Sequence, residues 1–570
     1  MHSPFAFVTV ALGLLLAGPT SLAAGPEQSD LRFREVSIAW GIEFRHHHGG
    51  AGDFFMPESM GAGVVIFDYD GDGDQDVFLV DAAAMPRYEG ESPRSRLYRN
   101  DGSGTFVDVS DSAGIDVSAY GMGAAAGDID RDGDEDLYVT AWGSNQLFLN
   151  DGNGGFLDVT AGAGVAGGED MWSTSAAFGD IDGDGYPDLY VANYVDFSLD
   201  NNPICGHREL ELRSYCHPDV YDGQLDRFFL NNGDGTFTEA AETVGMGKPL
   251  GKALGVIFGD LNRDGSVDLY VANDMTANYL FENLGDGTVE EVGLFSGVAF
   301  SDQGSPEAGM GVDLADTDGD GFDELIVTHL DMQSNALYSS SEAGLFLDRR
   351  YEAELANPSR MKVGFGVAFA DFDCDADVDL AVGNGHIIHN IDLYGTGSTY
   401  RQRNQVFRND GRGRFSAVDD AGFEAIRASR GLAVGDLDGD QDLDIVVNNL
   451  DEEVEVYENL TASCCRWLTI DLAPLELASL GLRAELTRPD RRQVREMRSA
   501  SSYLSQNSRP LHFGTPDDYA NAALRLWWPG GRRQEFTVIP QNRSLRLYVP
   551  LPSRVDQTVA QEGLEDGADR

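Results

Sequence analysis

The chain has 570 residues, with 96 Asp plus Glu against 40 Lys plus Arg and a formal net charge of −56 at pH 7. That length exceeds one compact core, and the charge excludes a nucleic-acid groove or an anionic-lipid surface, both of which need basic stripes. At 42% hydrophobic and 10% aromatic residues the chain is too apolar for a disordered acidic tail, so a folded structure must accommodate the acids.

Residues 1–24 hold no Lys, Arg, Asp or Glu, and a short apolar run, Phe5 to Leu16, is followed by small residues at Ser21, Ala23 and Ala24. This predicts a secretory signal peptide, since the run falls short of the roughly 20 residues a membrane span needs. No later stretch is a span, so the expected location is secreted, periplasmic or cell-surface. Phe33-Arg-Glu-Val-Ser37 then has the form of a strand, and His46-His47-His48 follows. Three histidines suit Zn²⁺ or Cu²⁺, but neighbours in an extended segment point to opposite faces, which argues against one shared ion.

From Asp68 onward one element recurs seven times: an apolar Gly-bearing run, an Asp-rich loop, then a β-prone run. Counting the first Asp as position 1, acids or amides stand at positions 1, 3, 5 and 9. The sets are Asp68, Asp70, Asp72, Asp76; then Asp128, Asp130, Asp132, Asp136; then Asp180, Asp182, Asp184, Asp188. They continue as Asp260, Asn262, Asp264, Asp268; then Asp316, Asp318, Asp320, Glu324. The last two are Asp371, Asp373, Asp375, Asp379 and Asp436, Asp438, Asp440, Asp444. Alternate oxygens in a tight loop converge on one point, and hard carboxylates in that number suit Ca²⁺, so up to about seven ions are expected. Asn262 keeps an oxygen but loses a charge. Ala376 and Gln441 replace the position-6 glycine and predict altered turns.

A second recurring element, Leu97-Tyr-Arg-Asn100…Phe106 with its echoes Leu147-Phe-Leu-Asn150…Phe156, Phe229-Leu-Asn231…Phe237 and Val406-Phe-Arg-Asn409…Phe415, is hairpin grammar. Each unit therefore supplies four strands, one propeller blade. The last unit stops at Asn459 without its fourth strand, and Phe33–Ser37 supplies the missing one. The fold class predicted is all-β: a seven-bladed β-propeller over 31–460, closed by its N-terminal strand.

Between these elements, Cys205-Gly-His207 and Cys216-His217 offer either a disulfide, favoured in an exported chain, or a Cys₂His₂ zinc site. His386 and His389, near Tyr394 and Arg401, are candidate acid/base groups, or else ties for a long loop. No nucleophile elbow, phosphate loop or dinucleotide fingerprint is present. Residues 464–550 form a separate β-rich unit, with thirteen arginines against eight acids for a formal +5. Such a module would dock on the acidic ring or bind an acidic glycan. The stretch 551–570 is a polar, acidic tail.

The repeated loops resemble the FG-GAP/VCBS repeats of integrin-α-like propellers. Arg498-Ser-Ala-Ser-Ser-Tyr503-Leu-Ser-Gln-Asn507, Leu511-His-Phe-Gly514 and Trp528-Pro-Gly-Gly531 look like an ASPIC/UnbV domain. Their pairing is similar to the cartilage acidic protein family. That resemblance implies a secreted, calcium-binding, adhesive or matrix role without agreed catalytic residues. The leading expectation is a non-enzymatic module that binds extracellular protein or polysaccharide, with calcium mainly structural. A polysaccharide-acting lyase or hydrolase with its site on a propeller face is the alternative, and a periplasmic scaffold for an assembly is a third.

Overall fold

The computed structural model describes residues 31–547 apart from 248–249, 342–343, 462–465, 473–479, 490, 517–521, 530 and 537–542. The expected signal peptide, the acidic tail and Cys464-Cys465 lie outside the described residues.

Among the described residues, seven four-stranded antiparallel sheets are present between Phe33 and Asn459. Blade 1 runs Val64–Phe67, Asp76–Leu79, Arg96–Asn100 and Phe106–Asp108. Blades 2 to 7 begin at Tyr120–Gly127, Ser173–Gly179, Ala253–Gly259, Val312–Ala315, Gly364–Ala370 and Ser429–Gly435. These first strands neighbour one another around a closed circuit in which blade 7 meets blade 1. The N-terminal strand, Phe33–Glu35, is the outermost strand of blade 7, with Phe33 opposite Asn459 and Glu35 opposite Tyr457. Both ends of the ring are thereby joined by a hydrogen-bonded ladder, as the missing strand in the last repeat predicted.

Blades pack through alternating apolar faces, and glycine sets how closely. A Cβ on Gly179, the last residue of its strand, would lie 2.7 Å from the Phe258 ring of blade 4, and one on Gly127 would lie 2.9 Å from Phe178. A glycine precedes the acidic loop in blades 2, 3, 4 and 7, and Gly259 and Gly435 likewise make room for Leu314 and Ile66 of the next blade (2.9 and 3.0 Å); Phe67, Ala315 and Ala370 hold the place in blades 1, 5 and 6.

The C-terminal module contains a sheet of Leu511–Gly514, Trp467–Leu472 and Arg543–Leu547, the last two parallel. Its second sheet orders Arg492–Glu496, Arg483–Thr487, Ala523–Trp527 and Arg533–Phe536. Leu468, Ile470, Leu486, Phe513, Leu524 and Leu526 form its own core.

Between strands Arg492–Glu496 and Leu511–Gly514, residues 498–510 leave the module and enter the axis of the propeller. Ser502 exchanges main-chain bonds with Val312, and Gln506 does so with Val64 and Ile66. Ser499 Oγ accepts from Phe178 N and donates to Phe178 O, both at 2.7 Å. Val367 N donates to Ser502 Oγ and Val434 N to Asn507 Oδ1 (both 2.9 Å). Ala126 N donates to Gln506 Oε1 at 2.8 Å. First strands in a propeller face the channel with one unpaired edge, and these side chains satisfy part of that edge in blades 1, 2, 3, 6 and 7, with the Ser502 main chain serving blade 5. The fit is tight: a Cβ on Gly63 would sit 2.3 Å from Leu504 O. At the tip Tyr503 is fully buried, packs edge-on against Phe365 at 4.8 Å between centroids, and donates to Met60 O at 2.8 Å.

Candidate metal loops and the two propeller faces

Each acidic loop joins the first and second strands of its blade, so all seven lie at one end of the propeller. Successive turns shape them. In the third loop, Asp180 Oδ1 and Oδ2 accept from Gly183 N and Gly185 N (2.8 and 3.0 Å). Asp182 Oδ1 then accepts from Asp184 N (3.1 Å), and Asp184 Oδ1 from Tyr186 N (2.8 Å). The same pattern of position 3 accepting from position 5, and 5 from 7, recurs at Asp318–Phe322 and Asp438–Asp442.

These turns leave other carboxylate oxygens facing a common point. Asp68, Asp70 and Asp76 offer oxygens within 4.8 Å of one another, as do Asp128, Asp130 and Asp136, and Asp180, Asp182 and Asp188. In two further loops the convergent sets are Asp316, Asp318, Asp320 and Asp371, Asp373, Asp375. Asp68 Oδ1, Asp70 Oδ1, Asp128 Oδ1 and Asp260 Oδ1 are buried with no hydrogen-bond partner. Burial pushes the carboxyls of Asp68 and Asp260 up to about 7 and that of Asp128 up to about 6. Orphaned, desolvated, hard oxygens clustered in this way fit a divalent cation of the Ca²⁺ type.

Position 9 has a second task. Asp76 Oδ2 accepts from Tyr69 N (3.0 Å) and Oδ1 from Asn100 N (2.8 Å); Asp136, Asp188, Asp268 and Asp444 repeat both bonds within their own blades. The acid therefore clamps its loop to the third strand, and burial pushes Asp76 and Asp136 up to about 9. The asparagine at the end of that third strand reaches further. Asn150 Nδ2 donates to Glu135 O in its own loop and to Tyr69 O in the loop of blade 1 (3.0 and 2.7 Å). Asn231, Asn283, Asn409 and Asn459 likewise bond Ile129, Ile181, Thr317 and Phe372 in the preceding blade, and Asn100 closes the circle on Leu437 O. In blade 5 Ser340 holds this place, and the position-9 acid is Glu324, whose longer side chain accepts from Ser339 Oγ and from Thr317 N and Oγ1. These asparagines are visible in the repeat as hairpin residues, but nothing local marks their reach across a seam.

The loops of blades 6 and 7 differ from the rest. Ala376 and Gln441 adopt the left-handed conformation in place of glycine (φ 79 and 74°), the altered turn their identities predicted. Arg408 pairs with Asp373, a position-3 ligand, and the Gln441 side-chain amide donates to Asp436 Oδ2 at 2.7 Å. A protein donor thus takes one carboxylate oxygen in each of these two loops, although in blade 6 Asp371 Oδ1 and Asp379 Oδ2 stay buried without a hydrogen-bond partner.

The C-terminal module sits on this acidic end. Arg498 pairs with Asp323 (2.6 Å), Arg509 with Glu135 (2.7 Å) and Arg491 with Asp377, while Arg483 donates to Gly321 O at 2.6 Å. The basic module thus docks on the acidic ring, one of the two alternatives its charge allowed. The arrangement combines surface pairing with the inserted axial segment, which charge alone did not suggest.

At the opposite end lie the long connections between second and third strands. Cys205 and Cys216 form a disulfide that staples the hairpin Cys205–His207 to Leu212–Ser214. His46 and His47 both face Asp81, at 4.0 and 3.0 Å, while His46 Nδ1 also accepts from Asp451 N and His48 Nδ1 accepts from Gly50 N. His386 Nδ1 accepts from Ile388 N at 2.9 Å, and burial lowers its pKa to about 4. His389 stacks on Phe54, the Tyr394 hydroxyl meets Ser214 Oγ at 3.3 Å, and Arg401 pairs with Glu452. These groups tie the insertions together; His386 and Tyr394 line one cavity of this end, whereas His389 and Arg401 are held outside it.

Comparison with known proteins agrees with this architecture. The FG-GAP-like repeat pattern matches residues 68–139, 128–191, 217–271, 260–327 and 390–447, and the ASPIC and UnbV pattern matches 476–552. Cartilage acidic protein 1 of Xenopus tropicalis is 25% identical over 539 residues, covering 90% of this chain and 77% of its own length. The Homo sapiens protein of that name is 23% identical over 533 residues, covering 90% and 75%. Among solved structures, an Agrocybe aegerita protein that recognises non-reducing terminal N-acetylglucosamine aligns with a TM-score of 0.37 and 17% identity over 69% of this chain and 87% of its own. A rhamnogalacturonan lyase aligns with a TM-score of 0.37 and 13% identity over 76% of each chain. With matched repeats spanning more than half of its length, a ring of four-stranded blades and the C-terminal pattern in place, the chain belongs to the FG-GAP-like repeat proteins and carries an ASPIC and UnbV module.

Proposed function

We propose that this protein is an exported, calcium-stiffened propeller that binds an extracellular protein or polysaccharide through the end opposite its acidic loops. One observation carries the choice of end. The C-terminal module covers acidic loops on one side and fills the axis with residues 498–510, whereas the other end keeps its long insertions facing solvent. Binding residues sit disproportionately on loops held by a rigid scaffold, and these insertions are such loops. Calcium acts in structure: it neutralises carboxylates that would otherwise repel, and it fixes the turn that starts each second strand.

The five loops of blades 1 to 5 are the metal sites in this reading. The loops of blades 6 and 7 are weaker sites in it, because the Arg408 guanidinium competes for Asp373 and the Gln441 amide for Asp436. A non-enzymatic role is supported by the placement of His389 on Phe54 and of Arg401 on Glu452, apart from the cavity that His386 and Tyr394 line.

The test applies Ca²⁺-loaded protein to immobilised polysaccharides and extracellular proteins, recording retention and the chain length of each polysaccharide afterwards. Retention with intact ligands supports the binding module. Shortened chains would replace it with the polysaccharide-acting enzyme, and a stable protein complex without glycan retention would favour the scaffold.

A further inference from the structure

The open end of the propeller contains a cavity of about 1050 Å³. Its floor is Met60, Leu254 and Met310, which belong to the same buried cluster as the axial Tyr503 and Leu504. The stapled hairpin forms one wall, and the blade 6 insertion, through Ile387, Ile388 and Ile391, forms another. A volume of this size is at the upper end of what small organic ligands occupy.

The remaining wall comes from a short repeat, Asp274-Met275-Thr-Ala-Asn278 in blade 4 and Asp331-Met332-Gln-Ser-Asn335 in blade 5. Both follow a second strand, and in both the closing asparagine accepts a main-chain N–H from before the aspartate: Asn278 Oδ1 from Asn273 N, Asn335 Oδ1 from His329 N (2.9 and 3.2 Å). Both methionines are held in the left-handed region, at φ 55 and 71°, where a side chain of that kind is strained. Strain repeated at equivalent places of adjacent blades, with both residues lining one cavity, marks a site and not an accident of one turn.

Two carboxylates line this thioether-rich wall. Asp274 is buried and accepts from the Tyr194 hydroxyl. Asp331 has a side chain only 17% exposed, and among the described residues no lysine or arginine lies within 4 Å of it. The group that does is His386, whose Nε2 is 3.8 Å away, beyond hydrogen-bond distance. Lys252 and His217 lie near enough to Asp274 to act on it, but the cavity's arginines do not answer Asp331: Arg213 donates to Asp53 O and lies over the Phe54 ring, and Arg208 is exposed on the hairpin turn. A carboxylate facing an apolar space is costly without a counter-charge, and thioethers are soft, adaptable surfaces for an apolar body. We infer that this cavity binds a small organic cation, an apolar molecule carrying a protonated amine, with its body among the methionines and its ammonium on Asp331.

The inference is independent of the macromolecular ligand proposed above. The test is calorimetric titration of the Ca²⁺-loaded full-length protein with 1-octylamine, 1-octanol and octanoate, three probes of equal chain length. Octylamine is expected to bind at least about tenfold more tightly than the other two, each tenfold being about 1.4 kcal/mol. Asp331→Asn should remove that preference while leaving octanol unchanged. Met332→Gly places glycine where φ is positive, so the fold is unstrained, and it should weaken all three probes. Equal binding of the three, no binding of any, or an unchanged amine preference in Asp331→Asn overturns the inference. Each variant's melting curve in Ca²⁺ shows whether it is folded, and should Asp331→Asn fail to fold, the Met332→Gly titration and the three-probe comparison on the parent protein still decide. Retention on the polysaccharide and protein panel is measured separately, so either reading can fail without the other.

Discussion

The two ends of the propeller are built from the same repeat and carry opposite chemistry. At the acidic end every blade contributes a nine-residue turn of fixed spacing, and the arginines of the C-terminal module pair with several of them. At the other end the connections range from tight turns to the stapled insertion and the 385–404 loop, and they enclose an apolar cavity. The difference follows from what each end must do. The turn hydrogen bonds and the position-9 clamp leave the acidic turns little freedom of length, whereas the opposite connections need only return the chain to the next strand.

Removing divalent metal should separate the ends most strongly. A site held at a thousand times its Kd contributes about 4 kcal/mol, so five sites dominate any single contact. Excess EDTA is expected to lower the melting temperature sharply, and equilibrium dialysis should count five bound Ca²⁺. An unchanged melt would falsify the structural role of calcium, and seven ions would show that Arg408 and Gln441 yield their oxygens to metal.

The axial segment comes next. Tyr503→Ala empties a fully buried aromatic site, where truncations cost roughly 3–5 kcal/mol. Denaturant unfolding in Ca²⁺ measures this, and a loss below about 1 kcal/mol would mean that the axis is filled without contributing to stability.

Smaller again is the seam. Asn150→Ala strands Tyr69 O and Glu135 O, for an expected loss of about 1–3 kcal/mol. The comparison sharpens in blade 5, where Ser340→Ala should change stability far less, because no seam bond is formed there by a serine. Equal losses at the two positions would remove the latch as an explanation.

The smallest effect is expected from Arg491→Ala at the module's edge, where a partly exposed ion pair with Asp377 contributes at most about 1 kcal/mol and fades in salt. A larger, salt-independent loss would show that pairing, and not the axial segment, holds the module in place.

What could be read from the chain follows this division. Positions 1, 3, 5 and 9 lie within one turn, so their chemistry is local and their repetition makes it unmistakable. The strand missing after Asn459 and present at Phe33 was legible for the same reason, because one repeat can be laid on another. The asparagine latch was half legible: its place in the hairpin is periodic, but its acceptor is a carbonyl some 80 to 100 residues earlier in most blades and 337 residues later for Asn100. The aspartate–methionine pairs carried a signal that sequence reading passed over, because Leu330 offsets the second copy by one residue relative to its strand.

The sequence by itself determined the repeating unit, its acidic loops and the closure of the ring, since each rests on contacts between near neighbours or on identity between copies. Only the tertiary structure decided where residues 498–510 go and what the opposite face encloses. Ser499-Ala-Ser-Ser has the composition of an ordinary loop, and it becomes an axial plug because strand edges hundreds of residues away present unpaired amides and carbonyls to it. The cavity likewise draws its walls from blades 4, 5 and 6 and a distant hairpin, and no stretch of chain contains enough of it to announce the site.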